Sequence, residues 1–186
     1  IDHRNIVRVI NFFRANETVY MVMQYEQGKS LQDYILGQTE LVSEIFIRQV
    51  FSELAKGLRE VHAQKLLHLD IKPANIYIRL DESPVLLDFG SARQALNENL
   101  AKSSPSYTPG FAPPEQYFDR NLLGPWSDIY SIGATMYSCL TRTSPAAANL
   151  RVKNDLLVPA VKLGLSNYSQ SLLEIIDQCL SLDYLA

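Results

Sequence analysis

Cysteine is nearly absent. Only two occur in 186 residues, Cys139 and Cys179, each inside an apolar run. No short-spaced pair exists, which excludes a disulfide-stapled scaffold or a cysteine metal knuckle and points to buried free thiols in a reducing compartment. Long apolar runs are missing as well, so no segment reaches the twenty or so residues that a membrane helix needs. Charge of one sign is not in excess: 17 Lys and Arg stand against 20 Asp and Glu. With a net charge of −3 and no basic tract, nothing invites nucleic acid or an anionic membrane. Internal repeats and low-complexity tracts are absent too, and no stretch of these residues reads as a secretory leader. The chain opens at Ile1 in mid-pattern and stops after Leu182-Asp183-Tyr184-Leu185-Ala186. The expectation is a piece of a longer protein, cut at both ends.

What is there suits one globular domain with a sizeable core. Ile6 to Phe13 and Thr18 to Tyr25 are apolar, β-branched and aromatic, with polar Arg14 to Glu17 between them, which reads as a β-hairpin. Ser30 is placed to cap a short helix through about Leu36, broken by Gly37. From about Ser43 to Ala63, Ile47, Val50, Phe51, Leu54, Leu58 and Val61 recur at three- and four-residue steps, the stripe of an amphipathic helix. Ile76 to Ile78 and Val85 to Leu87 read as a second hairpin around Asp81 to Pro84. Residues 91 to 106 are polar and weakly patterned, as in a mobile loop. A helix from about Ser127 to Leu140 is apolar on almost every side and therefore buried, with Asp128 in its first turn, where the helix dipole favours a carboxylate. Pro145 and Pro159 interrupt the next stretch, and a last amphipathic helix runs from about Ser169 to Ser181. The class is α+β.

Chemistry concentrates in His68-Leu69-Asp70-Ile71-Lys72-Pro73-Ala74-Asn75. Pro73 fixes a backbone dihedral and removes a donor, so this is a loop and not a helix interior. It lies between apolar runs, the anatomy of polar groups held on a packed scaffold. Asp70 can accept or orient a hydroxyl proton, Lys72 can neutralise a moving phosphate, and Asn75 offers a neutral oxygen that magnesium accepts. Thirteen positions later, after Val85-Leu86-Leu87, comes Asp88-Phe89-Gly90. A carboxylate at a strand end, followed by a glycine that lets the chain turn, supplies a second metal ligand. Either motif alone is common; the pair, in this order and at this separation, specifies phosphoryl transfer.

His68 to Asn75 resembles the catalytic loop of eukaryotic-type serine/threonine protein kinases, and Asp88-Phe89-Gly90 their magnesium-binding motif. Thr108-Pro109-Gly110-Phe111-Ala112-Pro113-Pro114-Glu115 resembles the end of their activation segment, with Pro113 where alanine is usual. Ala112 to Tyr117 is similar to bacterial members in particular. The resemblance spans nearly the whole chain. It implies a protein-kinase-like fold: residues 1–26 as a remnant small lobe and hinge, residues 27–186 as a mainly helical large lobe truncated at its end. It implies catalysis by Asp70, Lys72, Asn75 and Thr108, with Thr108 bonded to Asp70 and Lys72. ATP would be held by Met23 at the back of the pocket, by Gln24, Tyr25 and Glu26 on the hinge, and by Tyr77 beneath the adenine. Mg2+ would sit on Asn75 and Asp88. The partner would be a protein with a Ser or Thr acceptor, because Lys72 favours these over tyrosine. No nucleic acid or membrane contact follows, and the compartment would be cytoplasmic.

The resemblance also makes His68 a packed histidine under Phe89, and Asp128 an acceptor for the backbone around His68. Leu69 stands where the family commonly has an arginine that gathers a phosphorylated loop. Activity independent of loop phosphorylation at Ser103, Ser104 or Ser106 is therefore expected. Phosphatase treatment of the full-length protein tests this: most of the activity should survive, and its loss would remove the expectation. A glycine-rich loop, a strand lysine and a helix glutamate are not among these residues, and neither is the arginine that pairs Glu115 in the family. The 186 residues alone are therefore expected to bind ATP weakly and transfer little phosphate, with Glu115 unpaired. Two other readings stand beside this one. A small-molecule phosphotransferase shares the Asp-to-Asn spacing but usually lacks the lysine and the Thr108–Glu115 segment. A pseudokinase scaffold is opposed by the intact Asp70, Lys72, Asn75 and Asp88.

Overall fold

The computed structural model describes residues 1–88 and 107–185. Strands β1 (Val9–Ala15) and β2 (Thr18–Met23) form an antiparallel hairpin. Its two-residue turn has Asn16 and Glu17 at φ 50° and 58°, the left-handed backbone that a type I′ turn requires. A second, antiparallel sheet has the order β3 (Gly28–Ser30), β4 (Ile76–Arg79), β5 (Pro84–Leu86). Gly28 permits the close approach within it, since a Cβ there would lie 2.0 Å from the Ile78 carbonyl oxygen.

The segment before β1 ties the two sheets together. Ile6 bridges Leu86 in parallel. The Val7 N–H donates to Leu86 O at 3.0 Å, and the Leu86 N–H donates to Asn5 O at 2.8 Å. Asn5 also donates from Nδ2 to Pro84 O at 2.8 Å, and Asn5, Ile6 and Val7 are buried. The hairpin itself is thinly covered: Ile10, Phe13 and Val19 are 64%, 47% and 50% exposed. An apolar face of that kind is made to be packed against.

The helices begin as their caps dictate. Ser30 accepts from Asp33 N at the head of α1 (Leu31–Gly37) and Ser43 from Phe46 N at the head of α2 (Glu44–Ala63). All six stripe residues of α2 are buried. Next come α3 (Pro114–Phe118), α4 (Pro125–Thr141), α5 (Ala148–Arg151) and α6 (Gln170–Cys179). Helix α4 is buried from Tyr130 through Leu140 without a break. Its hydroxyls survive burial by donating one turn back: Thr135 to Ser131 O at 2.8 Å and Ser138 to Ala134 O at 3.0 Å. Gly133 lets α6 close on α4, since a Cβ there would meet Cys179 Cβ at 2.5 Å. Both cysteines are free thiols. Burial pushes the Cys139 thiol up to about 12 and raises Cys179. No helix among the described residues is long and apolar enough to cross a membrane.

Glu44 clamps the starts of α2 and α6 together. Its carboxylate accepts from Ser169 N and Ser169 Oγ, both at 2.6 Å, and from Arg48 Nε at 2.6 Å. Those bonds, Ser169 first and then Arg48, hold its pKa at about 2 against an ordinary 4.5. A depressed carboxyl stabilises the fold above its unfolded pKa, and that contribution fades as pH falls through the folded value. Glu44→Gln should therefore lower Tm at pH 7, and the gap from wild type should close as pH falls from about 4.5 towards 2. Thermal melts across that range check it; a constant gap would show that the charge contributes nothing.

Candidate active site

Asp70 lies half-buried at the centre of a ring of donors. Thr108 Oγ1 donates to its Oδ1 at 2.8 Å, and Asn75 Nδ2 donates to its Oδ2 at 2.9 Å. Lys72 Nζ lies 3.1 Å from Oδ1 and 2.9 Å from Oδ2. Lys72 also donates to Thr108 Oγ1 at 2.7 Å. Residues 70, 72 and 75 come from one loop, whose end is wound into a short 3-10 turn, Pro73–Asn75. Thr108 reaches them from 36 residues beyond Lys72. A carboxylate holding a hydroxyl within about 2.6–3.2 Å has the geometry of a general base or a hydroxyl-orienting group.

The loop is set by what lies beneath it. Leu69 is only 2% exposed and adopts φ 63°, a left-handed backbone that costs a residue with a Cβ about 1–3 kcal/mol unless its surroundings enforce it. Buried Asp128, at the start of α4, enforces it. Its Oδ1 accepts the Leu69 N–H at 2.8 Å and its Oδ2 the His68 N–H at 3.0 Å. Gln116 Nε2, on α3, donates to Leu69 O at 2.9 Å. His62, on the last turn of α2, places Nε2 2.8 Å from Asp128 Oδ2. The sequence reading anticipated the two backbone bonds to Asp128 but missed His62 and Gln116, because no spacing rule links three separate helices.

His68 is fully buried, which lowers its pKa by desolvation. Its Nδ1 accepts the Asp70 N–H at 3.2 Å, so Nε2 carries the proton and donates to Leu87 O at 2.8 Å. Both nitrogens are therefore engaged in holding the backbone. The Leu87 N–H in turn donates to Asn75 O at 2.8 Å. Leu87 is thus fastened to the loop on both sides, and Asp88 emerges directly from it, exposed and at φ 58°.

Asn75 spends its Nδ2 on Asp70 O at 2.8 Å and on Asp70 Oδ2, which leaves the amide oxygen as its ligating end. An amide oxygen and a carboxylate are the hard donors that magnesium takes, with water and phosphate completing the shell. No group of three or more His, Cys, Asp or Glu side chains gathers for a metal among the described residues. The donors present fit a cation shared with a phosphate ligand.

Of the residues expected to hold the nucleotide, Gln24, Tyr25 and Glu26 lie on the stretch joining β2 to β3, Met23 ends β2 and Tyr77 lies on β4. Met23 ends β2 opposite Val9. The Gln24 N–H is bonded to Arg8 O at 2.8 Å. Tyr25 is 84% exposed. Glu26 forms a two-pronged pair with Arg79 on β4, at 2.6 and 2.9 Å, which holds its carboxyl below the usual range. Its side chain thus fastens this stretch to β4. Tyr77 turns its hydroxyl to Gly28 O at 3.0 Å, a contact that the sequence did not announce.

Glu115 departs from expectation. It is buried, yet Ser127 Oγ donates to its Oε1 at 2.6 Å, so it is not left unpaired. Ser127 is also what receives the Gly124 N–H at the start of α4, at 3.2 Å. Phe89, Gly90, the polar stretch to Ser106 and the serines 103, 104 and 106 lie outside the described residues.

Comparison with known proteins agrees with this geometry. Residues 1–185 match the protein kinase domain family. Serine/threonine-protein kinase B of Synechocystis is 31% identical over 154 residues, covering 77% of this chain and 26% of that protein. A mouse relative described as inactive serine/threonine-protein kinase PLK5 is 34% identical over 148 residues, covering 80% of this chain and 24% of that protein. The solved structure described as the PpkA-294 apo form superposes with a TM-score of 0.85 at 33% identity, covering all of this chain and 65% of that one. The chain thus spans about a quarter of these curated relatives' length. With the family matched from end to end and the fold shared, the chain belongs to the protein kinase domain family.

Proposed function

We propose that this chain is the catalytic part of an ATP-dependent serine/threonine protein kinase. The observation that carries the reading is the closed set of bonds among Asp70, Lys72, Thr108 and Asn75, with Leu87 tying Asp88 to the same loop. Asp70 orients the acceptor hydroxyl and takes its proton. Lys72 holds a positive charge beside the oxygen under attack. Asn75 and Asp88 hold magnesium by oxygen. ATP supplies the phosphoryl group, and the metal neutralises its charge when bound. Residues 1–26 form the remnant of the small lobe, with Gln24 to Glu26 as the hinge and Met23 and Tyr77 bordering the adenine. The acceptor is a protein Ser or Thr. Two protonated thiols and the ATP requirement suit a cytoplasmic site.

The test is transfer from labelled ATP to a mixed protein substrate by the full-length protein, with phosphoamino-acid analysis. Magnesium-dependent phosphoserine and phosphothreonine are expected. Label on small molecules alone would favour a small-molecule phosphotransferase. ATP or partner binding without any transfer would favour a scaffold.

A further inference from the structure

The peptide unit that joins Leu69 to Asp70 has both of its polar atoms held. Its N–H donates to His68 Nδ1 at 3.2 Å, and its oxygen accepts from Gln116 Nε2 at 2.9 Å. With the Leu69 N–H bonded to Asp128, these contacts fix the backbone on either side of that unit, and so the direction in which the Asp70 carboxylate points. His68 belongs to the loop itself and Asp128 to α4. Gln116 comes from α3, at the end of the segment that carries Thr108.

That segment therefore grips Asp70 twice. Thr108 Oγ1 holds the carboxylate, and Gln116 holds the peptide behind it. The segment is itself anchored on α4: Ser131 Oγ donates to Phe111 O at 2.9 Å, and Ser127 Oγ to Glu115 Oε1 at 2.6 Å. Gln116 is 4% exposed, so its bond to Leu69 O is shielded from solvent. Its own Oε1 is buried and meets no donor among the described residues. A methionine would fill the same length without burying that oxygen, so what the amide offers here is its donor. The tie is also uncharged, since an amide and a backbone carbonyl do not titrate. Leu69, apolar and buried, offers no cation that could draw in a phosphorylated residue.

Resting on the kinase reading, we infer that Gln116 is a positioning residue for Asp70. It couples the Thr108 segment to the catalytic loop through one neutral bond, which keeps Asp70 aligned with an acceptor hydroxyl whether or not the protein is phosphorylated. It touches no reacting atom and acts through the peptide between Leu69 and Asp70.

The experiment uses the full-length protein with Gln116→Met, which removes the donor and the buried Oε1 together, and Gln116→Glu, which turns a carboxylate on the Leu69 oxygen. In both, kcat for transfer to a Ser/Thr peptide should fall about 10- to 100-fold, the scale for reacting groups misplaced by up to about 1 Å. KM for ATP and for the peptide should stay within about twofold, because the interaction lost is one made through Asp70 in the transition state. Phosphatase treatment should leave the ratio of variant to wild type unchanged. Hydrogen exchange reads the tie without turnover. The Leu69 and Asp70 amides should exchange about two- to tenfold faster in Gln116→Met, the worth of one hydrogen bond, while α2 and α4 keep their wild-type protection. A Gln116→Met kcat within about threefold of wild type, a deficit that disappears well below Tm, unchanged exchange at Leu69 and Asp70, or a ratio that phosphatase treatment alters would each overturn the inference. Faster exchange at those two amides, with no transfer even by the unmutated protein, supports the tie and overturns the kinase reading alone.

Discussion

Replacing Asp70 with asparagine in the full-length protein lowers kcat on the order of 10²–10⁴-fold, the range that a positioned general base supplies. The structure makes this change more than the loss of a base. The two carboxylate oxygens receive Thr108, Asn75 and Lys72, every one of them a donor. An amide can accept at only one oxygen, so its own NH2 must face at least one of those donors. The loop should therefore loosen as well as lose its proton acceptor. In the proposed reading ATP is held by other residues, so its Kd should stay within a few-fold. Stopped-time transfer assays with a separate ATP-binding measurement separate the two effects. A variant keeping more than about a tenth of wild-type kcat would remove Asp70 from the chemistry.

Asp128→Ala should be the most damaging change to the fold itself. It strips the acceptors from two buried backbone N–H groups, His68 and Leu69, and from His62. Each orphaned buried donor costs about 1–3 kcal/mol, so a total loss of about 3–5 kcal/mol is expected, as when one partner of a buried charge network is removed. For a domain of this size that lowers Tm by roughly 6–20 °C. Leu69 would also lose what holds its left-handed backbone, and Asp70 is the next residue. Activity should accordingly fall about 10²-fold even well below the new Tm, since a shift of about 1 Å at the reacting groups costs that much. Asp128→Asn, keeping one acceptor oxygen, should fall between. Melting curves and kcat at low temperature decide it; an Ala variant within about 2 °C of wild type would mean that other contacts hold the loop.

The sequence made the site legible because its parts are local. Asp70, Lys72 and Asn75 lie within six residues, and the cap at Ser30 announced its helix. The stripe of α2 and the all-round burial of α4 followed from periodicity alone. What stayed hidden was long-range and polar. Ser127 as the partner of Glu115, Gln116 on Leu69 O, and Tyr77 on Gly28 O each join residues that only the finished fold brings together. The expectation of an unpaired Glu115 came from looking only for a cation; a serine twelve residues on was enough. Arg79, which no pattern singled out, fastens Glu26 across 53 positions.

Cys139 offers one practical consequence. Its sulfur is sealed inside the molecule and protonated at neutral pH, so a thiol-specific dye can reach it only when α4 comes away from its neighbours. With half-buried Cys179 replaced by serine, the speed at which that dye is taken up is a stopwatch on the opening of the molecule's centre.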